Sequence, residues 1–280
     1  MRLIKMTGGL GNQMFIYALY LRMRQRFPNT RIDLSDIRHY HVHNGYELTR
    51  VFDIQPRTFC IPQWMKKTLE FLFFRTILER HEKGSLRHYD GQVYWPLVYY
   101  KGFYQRLDYL CGIEDEVRQA FCFNEQKIST ETRNMLRRIE TDDTAVSLHV
   151  RRGDYQQAKY YASVGCVCNL TYYQKAITAM SSRLSNAHYY IFSDDSLWVR
   201  ENLQPEGAVY VNWNRGDNSW QDMMLMSRCR HHIISNSTFS WWGAWLGTHG
   251  GKIVICPDHW YANDGGNVPL YPDNWIKISL

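Results

Sequence analysis

The chain has 280 residues, 45% of them hydrophobic, and a formal net charge of +6. That composition excludes a disordered or low-complexity protein and allows one large domain or two smaller ones around full hydrophobic cores. The basic balance favours anionic ligands, nucleic acid or acidic membrane surfaces without choosing among them.

The opening reads as strand, glycine turn, helix. RLIKM (2–6) is apolar, TGGLGNQ (7–13) is the turn, and MFIYALYLRMRQRF carries an aromatic and aliphatic helical face. Because a strand begins almost at once, no secretory leader is expected ahead of the fold. RIDLS (31–35) reads as a second strand, followed by a polar loop over 36–52 that holds HYHVH (39–43). Residues 64–83 are basic and amphipathic, with Leu69, Leu72, Phe73 and Ile77 at helical spacing. Such a segment suits packing on its own domain or contact with an anionic membrane surface. No apolar run reaches the ~20 residues that span a bilayer. Residues 113–140 read as charged helices, with Ser129 as a helix start.

After Thr141–Asp143 strands alternate with helices. TAVSLHV, HYYIFSDD, AVYVNW, HHIISN and KIVICP are strand-like, and LTYYQKAITAMSSRL, SWQDMMLMSRC and TFSWWGAWL are helix-like. That alternation predicts a parallel sheet with helices on both faces. The expected organisation is two Rossmann-like α/β domains, 1–142 and 143–280, facing a cleft. Ligands of such sheets bind beyond the carboxyl ends of the strands. RRGD, SDD and SNST all fall there.

The glycine turn, with Gly9, Gly11, Asn12 and Gln13, leaves backbone N–H groups for a phosphate or hydroxyl. It is not a dinucleotide fingerprint, since the third glycine position is Met14, and it has no Walker lysine. In HVRRGDY, Arg151 and Arg152 suit phosphate, and His149 ends the strand beside them. Asp154 orients one guanidinium. Two arginines against one acid leave a positive charge uncompensated, which points to an anion site. Asp194 and Asp195 suit ribose hydroxyls, a purine N–H edge or helix capping. Asn236, Ser237, Thr238 and Phe239 stand at a strand-to-helix junction that suits a second phosphate cradle. HYHVH suits a loop better than a metal site, and there is no DxD, so no metal is expected. Asp36, His41 and Glu47 are carboxylate or imidazole candidates for a base. Seven cysteines without a CxxC read as reduced thiols of a cytosolic protein. The 20 Tyr and 10 Trp suit stacking on sugar rings. Taken together, the residues suit a metal-independent sugar-nucleotide transferase.

GGLGNQMFIYA, HVRRGDY and SNSTFSWWGAWL, in this order, resemble glycosyltransferase family 11, the α-1,2-fucosyltransferases of bacterial type. The resemblance spans most of the chain. It implies a GT-B-like fold, GDP-β-L-fucose as donor, no cofactor, and inverting transfer to O2 of a terminal galactose of a glycan. It further implies Arg151 or Arg152 on the β-phosphate, and His149 with Asp194 or Asp195 at the guanine or ribose. Ser237, Thr238 and Phe239 would line the diphosphate and base, with Gly9, Asn12 and Gln13 near the transferred sugar. The α-1,6 relatives carry a glutamate ten residues after the motif histidine. Here that position is Lys159, so that base does not carry over, and Asp154, His41 and Glu47 stand as alternatives. The expected location is cytoplasmic, peripheral on the inner membrane face through 64–83. The rivals are a fucosyltransferase of another linkage and a nucleotide-sugar or glycan binding protein without turnover. A nucleic-acid partner is not expected, because the arginines do not cluster along one helix.

Overall fold

The structure is a computed structural model that describes residues 1–37, 43–72, 75–78, 81–82, 85–86, 96–262 and 269–279. The chain divides into two compact units, Met1–Asn124 and Glu125–Leu280.

The first unit is built on a parallel sheet of β1 (Arg2–Lys5), β2 (Thr30–Asp33), β3 (Thr58–Phe59), β4 (Arg75–Leu78) and, after the short hairpin β5 (His81–Glu82) and β6 (Ser85–Leu86), β7 (Val98–Lys101). The sheet order is β3-β2-β1-β7-β4. Helix α1 (Leu10–Arg26) is buried along most of its length, and α2 (Leu48–Val51), α3 (Gln63–Leu72) and α4 (Glu114–Ala120) complete the unit. The helix expected over 64–83 ends at Leu72. Residues Arg75–Leu78 instead pair with β7, so Ile77 is a strand residue. β-branched Thr76 and Ile77 fit an edge strand, and the open edge of β7 outweighs the helical period.

The second unit begins with α5 (Thr130–Glu140). Ser129 caps it by accepting from the Thr132 N–H at 3.1 Å, as its sequence promised. The sheet follows: β8 (Ala145–Val150), β9 (His188–Ser193), β10 (Val209–Val211), β11 (His231–Ile233), β12 (Val254–Pro257) and β13 (Ile276–Ile278). The helices are α6 (Ala158–Tyr160), α7 (Leu170–Ser181), α8 (Ser196–Asn202), α9 (Trp220–Arg228) and α10 (Thr238–Leu246). All strands are parallel, in the order β10-β9-β8-β11-β12-β13. Counted within the unit this is 3-2-1-4-5-6, the doubly wound arrangement whose crevice opens where the chain switches sides, between β8 and β11. Strand β8 is buried at all six residues, as a central parallel strand must be.

The division falls after Asn124, where the sequence texture suggested residue 142. Helix α5 is tied to the second unit by side chains. The Ser129 N–H donates to Gln221 Oε1 at 3.0 Å, and Thr132 Oγ1 donates to Asn214 Oδ1 at 2.9 Å. Asn214 in turn donates to Asp222 at 2.8 Å. The polar stretch Thr141–Asp143 is only the turn from α5 into β8.

Candidate active site

Three polar loops leave the carboxyl ends of β8, β9 and β11. In-register pairing sets His149 beside Phe192 and Val150 beside Ser193, so the loops after β8 and β9 start at one level. Arg151 bridges two carboxylates, with Nη2 on Asp154 at 2.6 Å and Nη1 on Asp194 at 2.9 Å. Burial opposes the charge of Arg151, but Asp194 and Asp154 outweigh it and raise the guanidinium pKa. It is cationic at any working pH. Arg152 donates from Nε to Asp195 at 3.1 Å and lies over the Trp198 ring at 4.1 Å. The Arg152 backbone N–H donates to Asp194 at 2.9 Å.

Gly153 makes this cluster sterically possible. A Cβ there would stand 2.5 Å from Asp194 Oδ2, so only glycine lets the carboxylate lie against the turn. Two arginines meet three carboxylates, which corrects the expectation of an uncompensated positive charge: Asp194 and Asp195 arrive from β9. An incoming anion therefore meets guanidiniums already oriented and fully paired, and it competes with carboxylates for them.

Across the switch point, His149 Nδ1 shares a hydrogen with Ser235 Oγ at 3.0 Å, and its ring lies 5.8 Å from that of Phe239. Burial, with Arg151 nearby, lowers the His149 pKa to about 3. The imidazole is neutral at physiological pH, able to accept or donate one hydrogen bond without carrying charge. Ser237 caps α10 by accepting from the Phe239 N–H at 3.3 Å. Thr238 and Phe239 are half-buried at that helix start. Asn236 is inward: its amide donates to the carbonyls of Val164 at 3.0 Å and Trp260 at 2.9 Å. The Tyr155 hydroxyl donates to the Asn236 carbonyl at 3.2 Å. The amide side chain is thus committed to holding the loops after β8 and β12 rather than offered to a ligand. Of the readings made of it, Asp195 fills the capping one, accepting from the Trp198 N–H at 3.1 Å, and it also holds Arg152 at 3.1 Å.

The glycine turn lies in the first unit. Gly8, with φ of +78°, makes the bend, and Gly9 caps α1. Gln13 is fully buried and spent: Nε2 donates to the carbonyls of Gly8 at 2.9 Å and Gly45 at 2.7 Å, and Oε1 accepts from the Glu47 N–H at 2.9 Å. It fixes the turn and does not present its amide outward, contrary to the expectation. Asn12 Oδ1 accepts from Gln105 at 2.8 Å. Gly11 lies inside α1 and is buried.

The proposed bases fare unequally. Asp36 is paired with Lys5 at 2.6 Å and Lys66 at 2.7 Å. Burial works to raise its pKa, but the two lysines outweigh it and hold the carboxyl low. Glu47 is buried against Arg50 at 3.0 Å, and burial raises its pKa against the pull of Asn44 and Arg50. His41 and most of HYHVH lie outside the described residues. Among the described residues no group of three or more His, Cys, Asp and Glu is placed to hold a metal. The seven cysteines are free thiols.

Sequence reasoning passed over Ser235, Trp198 and Asp222. Ser235 is two residues before Ser237 in the same junction. Trp198 stands three residues after Asp195, the spacing at which a cap meets its helix. Asp222 gave no signal. Burial lifts its pKa to about 7 against Asn214 and Arg215.

The family model described as "Glycosyl transferase family 11" matches residues 3–279. An alpha-1,2-colitosyltransferase of Escherichia coli is 30% identical over 268 residues, covering 92% of this chain and 91% of its own. Galactoside alpha-(1,2)-fucosyltransferase 1 of Ateles belzebuth is 27% identical over 167 residues, 57% of this chain and 45% of its own. Among solved structures, NodZ alpha-1,6-fucosyltransferase co-crystallised with GDP superposes with a TM-score of 0.54 at 15% identity. That match covers 88% of this chain and 92% of the other, so the fold is GT-B-like and α/β. The chain therefore belongs to glycosyl transferase family 11, and it is a glycosyltransferase.

Proposed function

We propose that the protein transfers L-fucose from GDP-β-L-fucose to O2 of a terminal galactose of a glycan, with inversion and without a metal. The observation that carries this reading is the convergence of three polar loops at the switch point of the second unit's sheet, where Arg151, Arg152, His149 and the start of α10 stand together. Two names support the linkage, since the Escherichia coli relative and the Ateles belzebuth relative are both called α-1,2 transferases. The second also supports a galactoside acceptor.

In this reading the acceptor hydroxyl attacks the anomeric carbon from the face opposite GDP. As the new C–O bond forms and the C–O bond to the diphosphate breaks, the hydroxyl proton passes to solvent water, and the diphosphate departs with growing negative charge. Arg151 and Arg152 stabilise that charge, and so does the N-terminal turn of α10. Such stabilisation lowers the barrier only where it strengthens in the transition state. Asp154 is engaged by Arg151 and Glu47 is buried against Arg50, so proton removal is not assigned to either. Neutral His149 suits a hydrogen bond to an uncharged edge of the nucleotide.

One observation favours a second donor: the relative that is 30% identical is named for colitosyl transfer. Measuring GDP release with GDP-fucose and with the corresponding colitosyl nucleotide, each with and without lactose and EDTA, separates the two. Acceptor-dependent release from GDP-fucose in EDTA supports the reading. Release from the colitosyl nucleotide alone replaces the donor, and loss of release in EDTA removes metal independence.

A further inference from the structure

Helix α3 is amphipathic in the wrong sense for a helix that only covers its own domain. Seven residues at 100° each bring Phe71 within about 20° of Trp64 on the helix surface. That face looks outward: Trp64 is 81% exposed, Phe71 88% and Leu72 59%. The opposite face carries Lys66, which is buried and ion-paired to Asp33 at 3.3 Å and Asp36 at 2.7 Å. Met65 packs against Leu3, Ile61 and Tyr99. The lysine anchors the helix, and the tryptophan and phenylalanine are left in water. Lys67 on the same helix and Arg75 at the start of β4 are also exposed. Leaving out the buried Lys66, residues 63–87 hold five Lys or Arg against three Glu, a net of +2.

We propose that α3 docks the protein on an anionic lipid surface, with Trp64, Phe71 and Leu72 entering the headgroup region and Lys67 and Arg75 meeting anionic headgroups. Tryptophan prefers that depth, and an apolar face with flanking cations is what an in-plane helix needs. A second copy fits less well. Three side chains at no more than roughly 250 Å² each bury at most about 750 Å², below the ~800 Å² per partner of a stable interface. A symmetric pair would also set Lys67 and Arg75 near their own copies.

The test is co-sedimentation of the full chain with vesicles of equimolar phosphatidylcholine and phosphatidylglycerol, and with phosphatidylcholine alone. The wild type binds the anionic vesicles at least about tenfold better than the neutral ones, and salt weakens the binding. Trp64→Ser with Phe71→Ser lowers binding at least about tenfold with an unchanged Tm, since both side chains are exposed. Lys67→Glu with Arg75→Glu lowers binding to the anionic vesicles alone. Three results overturn the proposal: no binding to anionic vesicles, equal binding by the serine variant, or a wild-type dimer that the serine variant dissolves without any vesicle binding.

Discussion

Arg151 and Arg152 are adjacent in sequence but differently placed. Arg151 holds Asp154 and Asp194 together and so ties the loop after β8 to the one after β9. Arg152 stacks on Trp198 and holds one carboxylate. Removing Arg151 subtracts a charge from the proposed diphosphate site and also leaves the Asp154 and Asp194 carboxylates without their shared cation. Arg151→Ala is therefore expected to lower kcat/KM by about 10³ or more, and Arg152→Ala by about 10–10². Steady-state kinetics with retained far-UV circular dichroism checks both, and wild-type turnover by either variant contradicts the assignment. Gly153→Ala drives a methyl into Asp194 and breaks its bond to the Arg152 N–H. A KM increase for the donor of about tenfold or more is expected, read by initial rates. The buried His149 shapes stability as well. Its folded pKa, about 3, lies below the usual 6.5, so its contribution is complete above the unfolded value and is lost as pH falls from about 6.5 toward 3. His149→Gln should make the decline of Tm across that window shallower, though not flat, because burial also depresses His232. Asp222 acts in the other direction. Its pKa is raised from 3.8 to about 7, so stability falls as pH rises through that interval, and Asp222→Asn should gain Tm relative to wild type from pH ~4 to ~8.

Among the elements, the second unit was the more legible. The five strand-like runs read from its sequence each became a strand of the parallel sheet, while the sixth strand, β13, is a partly exposed three-residue edge that carried no such signal. Ser129, Ser237 and Asp195 all cap the helices their sequence context pointed to. Ser129→Ala is expected to cost about 1 kcal/mol, measured by chemical denaturation. Less legible were contacts made at long range. Asp194 reaches Arg151 across 43 residues, and the Gln13 amide is consumed by Gly45 and Glu47, which lie more than 30 residues away. Local pattern carries no information about such pairs, and so the charge of the site was misjudged from HVRRGDY alone. Segment 64–83 misled for a related reason, since the partner of Arg75–Leu78 is β7, and periodicity does not reveal an open strand edge.

At the scale of the molecule, two α/β units and the order 3-2-1-4-5-6 in the second explain how motifs 90 residues apart, from His149 to Phe239, come to one end of one sheet. Each sits on a strand end, and the sheet gathers the ends. No helix among the described residues is long and apolar enough to cross a membrane. The central claim is the reaction itself. Incubating the full chain with GDP-fucose, lactose and EDTA, and assigning the product linkage by NMR, tests it most directly. The account predicts fucose α-linked to O2 of the galactose. A product linked elsewhere, a β-anomer, or GDP-fucose bound but never transferred would contradict it.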